Sequence, residues 1–386
     1  MHDGRGPVAA KYQREFFMPS SELPTGDKKR FAIIAPSLAG VLRDRALLIR
    51  AVRDRGHEVL VLAPSQLAGE IAALHALGCE HRNFDPKPPG LSLLANRRLM
   101  IALRDSLSAW NADTVLVSAA RLAPIAARAA RKAGIKHIVT LISDLGDSTA
   151  EERARRAASY RRAVKVSGAV VCHNTADAET VAKTLKLANG NAPVVTPGAG
   201  IDVAEFPFSP LPKGGGPVVF LMIADPDERA ALEAYASAAR AVAGQGLPAR
   251  FRLATDREAA QDTTLLTVTG LEFQGRATDP RALLAEAHVA VHLSVDDGCP
   301  TAIREALAAG RPILTLDLPG CREAVDERVN GCLVPPDDPQ ALITAMASFV
   351  AHRDLIPSEG RASRAKAERF YETGRAVTSY LAALRL

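Results

Sequence analysis

The stretch from Leu293 to Pro312, Leu-Ser-Val-Asp-Asp-Gly-Cys-Pro-Thr-Ala-Ile-Arg-Glu-Ala-Leu-Ala-Ala-Gly-Arg-Pro, gathers residues that could do chemistry. It reads as the end of a strand, a tight turn at Gly298 and a helix that opens with Pro300 at or near its first turn, where a missing N–H costs nothing. The amides of Thr301 and its neighbours then point out of a helix N-terminus, a ready site for phosphate. Asp297 and Glu305 stand a little over two turns apart if both are helical, so they fall on related faces. One carboxylate can meet a sugar and the other a ribose.

Weaker candidates lie elsewhere, each with an ordinary structural reading beside it. Asp225-Pro-Asp227 has the Asp-x-Asp spacing of a metal site, yet Pro and Asp after a strand are common turn chemistry. Ser37-Leu-Ala-Gly40 follows the first strand without the full G-x-G-x-x-G of a dinucleotide site. His173 at a strand end is either a satisfied edge histidine or a site residue. Cys299 belongs to the Gly298 turn, but no His stands beside it in sequence to make it a nucleophile.

The elements that must position these residues alternate regularly. Phe31–Ala35, Glu58–Ala63, Thr114–Val117, His137–Ile142 and Ala169–His173 read as buried parallel strands, each followed by helical periodicity. From Pro207 the chain runs Pro-Phe-Ser-Pro-Leu-Pro-Lys-Gly-Gly-Gly-Pro, which favours extended, exposed chain and marks a domain boundary. A second alternation follows, with Val218–Ala224 as strand, Arg229–Gly244 as helix, and strands near Phe251, Leu266, Val289 and Ile313. The expectation is α/β: two tandem doubly wound parallel sheets facing a central cleft, where such sheets bind nucleotide-like ligands at the carboxyl ends of their strands. The expected division is a polar tail over 1–30, domains over 31–207 and 208–362, and a last helix over 363–386 that packs on either domain.

Composition narrows the function classes. The chain has 386 residues, with 47% hydrophobic, 24% charged and only 4% aromatic, so stacked aromatic platforms for bases or flat sugars are disfavoured. Five Cys without CxxC spacing indicate neither a disulfide framework nor a structural zinc site, and point to a reducing compartment. No run of about 18 apolar residues suggests a spanning helix, and the first 30 residues lack a secretory apolar stretch, so a cytoplasmic location is expected. Lys and Arg number 48 against 43 Asp and Glu, and the excess clusters from Arg97 to Lys165. That cluster reads as solvated helix faces or as a peripheral contact with an anionic membrane. No nucleic-acid motif accompanies it.

The segment Asp297–Glu305, with Ala309-Gly-Arg-Pro312, Pro319-Gly-Cys-Arg-Glu323, Asn330-Gly-Cys-Leu-Val-Pro335 and Asp338-Pro-Gln-Ala-Leu342, resembles the C-terminal signature of family-four retaining glycosyltransferases of the GT-B fold, in the bacterial polysaccharide and lipid-linked-oligosaccharide branch. Looser matches run through Arg45-Ala-Leu-Leu-Ile, Arg55-Gly-His-Glu-Val, Ser143-Asp-Leu-Gly-Asp147, His173-Asn-Thr-Ala-Asp177 and Pro197-Gly-Ala-Gly-Ile-Asp202, so the resemblance covers about residues 31–350. It implies that Glu305 binds the donor ribose and Asp297 the transferred hexose. Gly298, Cys299, Pro300 and Thr301 line the same turn, Ser37 and Gly40 add to donor binding, and Arg45, Arg121, Asp144 and His173 stand on the acceptor side. It also implies a nucleotide-sugar donor, UDP-linked, a carbohydrate or polyprenyl-linked acceptor, and no metal or cofactor.

One departure matters. Where the family has an Arg and a Lys for the leaving diphosphate, this chain has Asp225 and Ala230, with Arg229 the nearest cation. Two classes therefore stand: a retaining hexosyltransferase that uses Arg229, and a catalytically impaired homologue that binds nucleotide or sugar within a polysaccharide assembly complex. A dehydrogenase is disfavoured because neither half carries the dinucleotide fingerprint.

Overall fold

The computed structural model describes residues 27–65, 67–84, 93–118, 122–143, 145, 150–187, 192–255, 270–275, 277, 279–294 and 300–386. The chain forms two units, one running to Ala199 and taking in Thr373–Leu386, the other spanning Gly200–Glu372. The division therefore falls ahead of the Pro- and Gly-rich segment at which the sequence placed it.

The first unit is built on a parallel sheet in the order β3-β2-β1-β4-β5-β6-β7. Its strands are β1 (Arg30–Ile34), β2 (Glu58–Leu62), β3 (Glu80–Arg82), β4 (Thr114–Val117), β5 (His137–Leu141), β6 (Ala169–Cys172) and β7 (Val194–Val195). Register pairs Ile33 with Val61 on one side and Leu116 on the other. The central strands are almost continuously apolar because helices cover both faces. Helices Leu93–Trp110, Ala123–Lys132, Ala150–Val164 and Thr175–Leu185 pack on one face, and Leu38–Asp54, Ala68–Ala76 and Thr373–Leu384 on the other.

The stretch expected as one last helix is two. Helix Ile356–Lys366 and a π-helical turn, Ala367–Tyr371, belong to the second unit, and the extended backbone of Glu372 separates them from helix Thr373–Leu384 in the first. That terminal helix buries Val377, Tyr380, Leu381 and Leu384 among Phe31, Ile33, Leu48 and Ile49. Its unpaired last carbonyls find donors from the sheet side: His137 Nε2 lies 2.7 Å from the Ala383 oxygen, Thr114 Oγ1 is 3.4 Å from that of Leu384, and Lys29 Nζ donates to that of Arg385.

The second unit carries a parallel sheet in the order β10-β9-β8-β11-β12-β13. Its strands are β8 (Val218–Ile223), β9 (Ala249–Ala254), β10 (Leu271–Gly275), β11 (Val289–His292), β12 (Ile313–Leu316) and β13 (Gly331–Val334). The strand expected near Leu266 lies outside the described residues. Helices Arg229–Gly244 and Pro339–Ala351 cover one face, and Pro280–Ala285, Thr301–Ala308 and Pro319–Ala324 the other. A Cβ at Gly331 would come within 2.1 Å of the Ile313 oxygen, so only glycine allows β13 to pair with β12.

The segment from Pro207, expected as extended, exposed chain, has neither helix nor strand up to Pro217 and is largely exposed, yet it and the residues just before it are fastened to this unit by arginines. Arg311 is fully buried, and its guanidinium donates to six carbonyls: Ser209, Pro210, Leu284, Ala285, Ala309 and Gly310. Burial pulls its pKa down to about 10, which leaves it charged at neutral pH. Arg364 donates to Val203, Phe206 and Ala308, and Arg353 to Gly214 and Gly216. Beside Arg353, His288 accepts the Val219 amide at Nδ1, and burial with the two guanidiniums of Arg353 and Arg311 lowers its pKa to about 4. Chain that is neither helix nor strand has carbonyls with no internal donor, and these guanidiniums supply them. Gly310 has φ +74°, and a Cβ there would meet the Phe208 ring at 2.5 Å. Replacing Arg311 with Met should cost on the order of 3–5 kcal/mol in denaturant unfolding, because the carbonyls stay buried without donors. A loss below about 1 kcal/mol would show that other groups satisfy them.

Candidate functional site

In each sheet the strand order reverses direction at its first strand, between β1 and β4 in one unit and between β8 and β11 in the other. Such switch points open a crevice at the carboxyl ends of the two strands, because the flanking connections leave on opposite faces. The second unit places most of the described donor-side residues there.

From β11 the chain passes through Leu293 and Ser294 into residues 295–299, which lie outside the described residues together with the expected site positions Asp297, Gly298 and Cys299. It re-emerges at Pro300, the residue capping helix Thr301–Ala308 in extended backbone. The amides of Thr301, Ala302 and Ile303 precede the first intrahelical bond, from the Arg304 amide to the Pro300 oxygen at 3.3 Å. That is the anion-ready geometry expected from the sequence. Arg304, missed by the sequence reading, is buried and donates from Nη2 to Thr301 Oγ1 at 2.6 Å. The hydroxyl accepts that bond and keeps its own hydrogen, so the Thr301 amide and hydroxyl both remain able to donate to an anion. Glu305 is half-buried on a helix whose Ile303, Ala306, Leu307 and Ala308 are core residues, so its place is fixed by apolar packing on either side.

Across the switch point, β8 ends in the turn Asp225-Pro-Asp-Glu228, closed by the Glu228 amide on the Asp225 oxygen at 3.1 Å. The Asp-x-Asp spacing is thus taken up by a turn. Among the described residues no group of three or more His, Cys, Asp or Glu is placed to hold a metal ion. Arg229 opens the next helix and pairs through Nε with Glu233 Oε1 at 2.7 Å, with both side chains more than half exposed. A cation at a helix N-terminus opposes the helix dipole, and an anion bound there would relieve both.

In the first unit, Ser37 caps helix Leu38–Asp54 by accepting the Gly40 amide at 3.2 Å. Ser37 and Gly40 therefore have a structural role at the carboxyl end of β1, in a different unit from Glu305. Arg121 and Asp144 lie outside the described residues. Arg45 and His173 are brought together by a residue that the sequence did not single out. His173 Nε2 lies 3.0 Å from the hydroxyl of Tyr380, and the Arg45 guanidinium stands 5.3 Å from the centre of the Tyr380 ring. Tyr380 comes from the last helix, beyond the stretch that carried the resemblance, so no local signal marked it.

The profile described as glycosyl transferases group 1 matches residues 217–352, and that of the glycosyl transferase 4-like domain matches residues 39–198. A protein named colanic acid biosynthesis glycosyltransferase WcaL, from Salmonella typhimurium, is 27% identical over 203 residues, 48% of this chain and 49% of that protein. The chain thus spans about half the length of this curated relative. Among solved structures, a glycosyltransferase from Rickettsia africae superposes with a TM-score of 0.74 at 12% identity, covering 93% of this chain and 98% of that one. Anabaena Alr3699/HepE in complex with UDP-glucose superposes with a TM-score of 0.70 at 16% identity, covering 92% of this chain and 100% of that one. The two parallel-sheet units have the GT-B fold, and the chain belongs to the group 1 glycosyltransferases.

Because the Arg229–Glu233 pair is exposed, Arg229→Ala should leave stability within about 0.5 kcal/mol of wild type in denaturant unfolding. Calorimetric pyrophosphate affinity should fall several-fold. Unchanged affinity would show that the guanidinium serves no bound diphosphate.

Proposed function

We propose that this protein transfers a hexosyl unit from a nucleotide sugar, UDP-linked, to a carbohydrate or lipid-linked acceptor in surface polysaccharide biosynthesis, with the anomeric configuration retained and without a metal. The observation that carries the donor half is the β11 junction with helix Thr301–Ala308, where three amides without intrahelical partners and the Glu305 carboxylate stand on one short element. Amides suit the diphosphate, and a carboxylate can accept from two ribose hydroxyls at once. The WcaL relative supports the polysaccharide setting, and the complex of Alr3699/HepE with UDP-glucose supports the donor class. The first unit, with Arg45 and His173, takes the acceptor.

The membrane part of the reading rests on charge placement. Helices Leu93–Trp110, Ala123–Lys132 and Ala150–Val164 share one face of the sheet and expose Arg97, Arg98, Arg128, Arg131, Arg161 and Arg162. Leu94 is 70% exposed beside Arg97 and Arg98, the mixture of apolar and basic groups that suits an anionic lipid surface. No helix among the described residues is long and apolar enough to cross a membrane. Contact with the inner face of the membrane from the cytoplasm is part of this proposal and rests on the charge placement alone.

A second reading is favoured by one observation. Asp225 and Ala230 occupy the positions where cations are expected for the leaving diphosphate, and Arg229 is engaged by Glu233. A homologue that binds nucleotide without turnover would have this arrangement. Donor hydrolysis or transfer with a panel of nucleotide sugars separates the two.

Calorimetry with UDP should show an affinity at least about tenfold weaker for Glu305→Ala than for wild type, since a charged hydrogen-bond acceptor is lost. Equal affinity removes Glu305 from the site. Sedimentation with phosphatidylglycerol vesicles should show binding at low salt that falls away above about 0.5 M, while neutral vesicles bind poorly. Absence of binding at low salt leaves the basic helices as solvated faces.

A further inference from the structure

We propose that Arg45, His173 and Tyr380 form a subsite for an acidic group of the acceptor, a phosphoryl or carboxylate oxyanion. The proposal rests on the acceptor-side reading of the first unit and gives that side a substrate chemistry.

Two other arginines of this chain have every guanidinium nitrogen hydrogen-bonded. Arg311 satisfies its guanidinium on six carbonyls, and Arg364 on three carbonyls and the Glu368 carboxylate. Arg45 is only 5% exposed and has no comparable set. Its hydrogen bond runs from Nη1 to the Asp44 backbone oxygen at 2.8 Å, and its Nε is buried with no partner. The Asp44 carboxylate is turned to Arg43 instead, at 3.0 Å from Nε and 3.3 Å from Nη2. A buried guanidinium without a carboxylate is costly, and such charges are ordinarily paired or fully hydrogen-bonded.

What surrounds Arg45 suits a small anion. The Tyr380 ring lies 5.3 Å from the guanidinium carbon and gives it a partly compensating face without occupying its donor fork. The Tyr380 hydroxyl holds His173 Nε2 at 3.0 Å, which orients the imidazole at the carboxyl end of β6. His173 is half-buried, so the cluster reaches solvent on that side. The planar fork of an arginine matches two oxygens of a phosphoryl or carboxylate group in one plane. The last helix thus has a part in binding: it supplies the tyrosine that holds both other residues.

The test uses thermal unfolding of the full chain in UDP, so that anions compete for nothing on the donor side. Inorganic phosphate and glucuronate are titrated separately. Wild type should show a saturable rise in Tm with at least one of them, and which anion responds assigns the group as phosphoryl or carboxylate. Arg45→Met should abolish the rise. Arg45→Lys, which keeps the charge over the ring but loses the fork, should weaken it about tenfold and carries the test if Arg45→Met does not fold. No saturable response of wild type to either anion, or an equal response in the variants, overturns the proposal. UDP binding read in the same experiment separates the two readings. Wild type that binds UDP but neither anion refutes the subsite alone, and wild type that does not bind UDP refutes the donor reading.

Discussion

A peptide carbonyl that belongs to neither a helix nor a strand must still have a donor, and the second unit depends on how that requirement is met. The segment from Ile201 to Pro217 contributes little regular structure, yet it carries a run of carbonyls against the end of helix Thr301–Ala308. Arg311, Arg364 and Arg353 cover them from three different elements. Hydrophobic burial alone fixes a helix loosely along its own axis. A guanidinium bonded at once to Ala309, Gly310 and Leu284 fixes the helix end in register with its neighbours. The helix N-terminus and Glu305 inherit that register.

This explains which parts of the molecule could be read from its sequence. The central strands were legible because burial on both faces leaves a continuous apolar run, as in Phe31–Ile34 and Val59–Leu62. β3 was not, because Glu80-His-Arg is a short polar edge strand whose side chains serve distant partners, Glu80 accepting from the Trp110 indole and Arg82 donating to the Ser106 carbonyl. The Pro- and Gly-rich segment was legible as chain without helix or strand, since composition reports that much, but not the arginines that pin it from a hundred residues away. The break in the last helix at Glu372 has no Pro or Gly at that position to announce it.

The candidate site was legible to a similar degree, for a related reason. Much of the signature that pointed to function turns out to encode the fold: Gly310 for its backbone angle, Arg311 for the carbonyls, and Asn330 for a buried turn in which it serves the Asp326 amide and the Ala324 oxygen. Gly331 serves the close pairing of β13 with β12. Glu305 and the helix start at Thr301 remain as groups with chemistry to offer. Arg304 escaped notice although it stands inside the signature, because nothing in its sequence context shows that it is buried and donates to Thr301; Tyr380 escaped notice because it meets His173 and Arg45 from a helix outside the stretch that carried the resemblance.

In the function proposed above, helix Thr301–Ala308 receives a nucleoside diphosphate at its N-terminus, with Glu305 on the ribose. A crystal structure of the protein soaked with UDP tests this most directly. Density for the diphosphate is expected within hydrogen-bond distance of the amides at Thr301 to Ile303, with both ribose hydroxyls on the Glu305 carboxylate. Clear density for UDP at any other place, with these amides and this carboxylate facing only water, would contradict it.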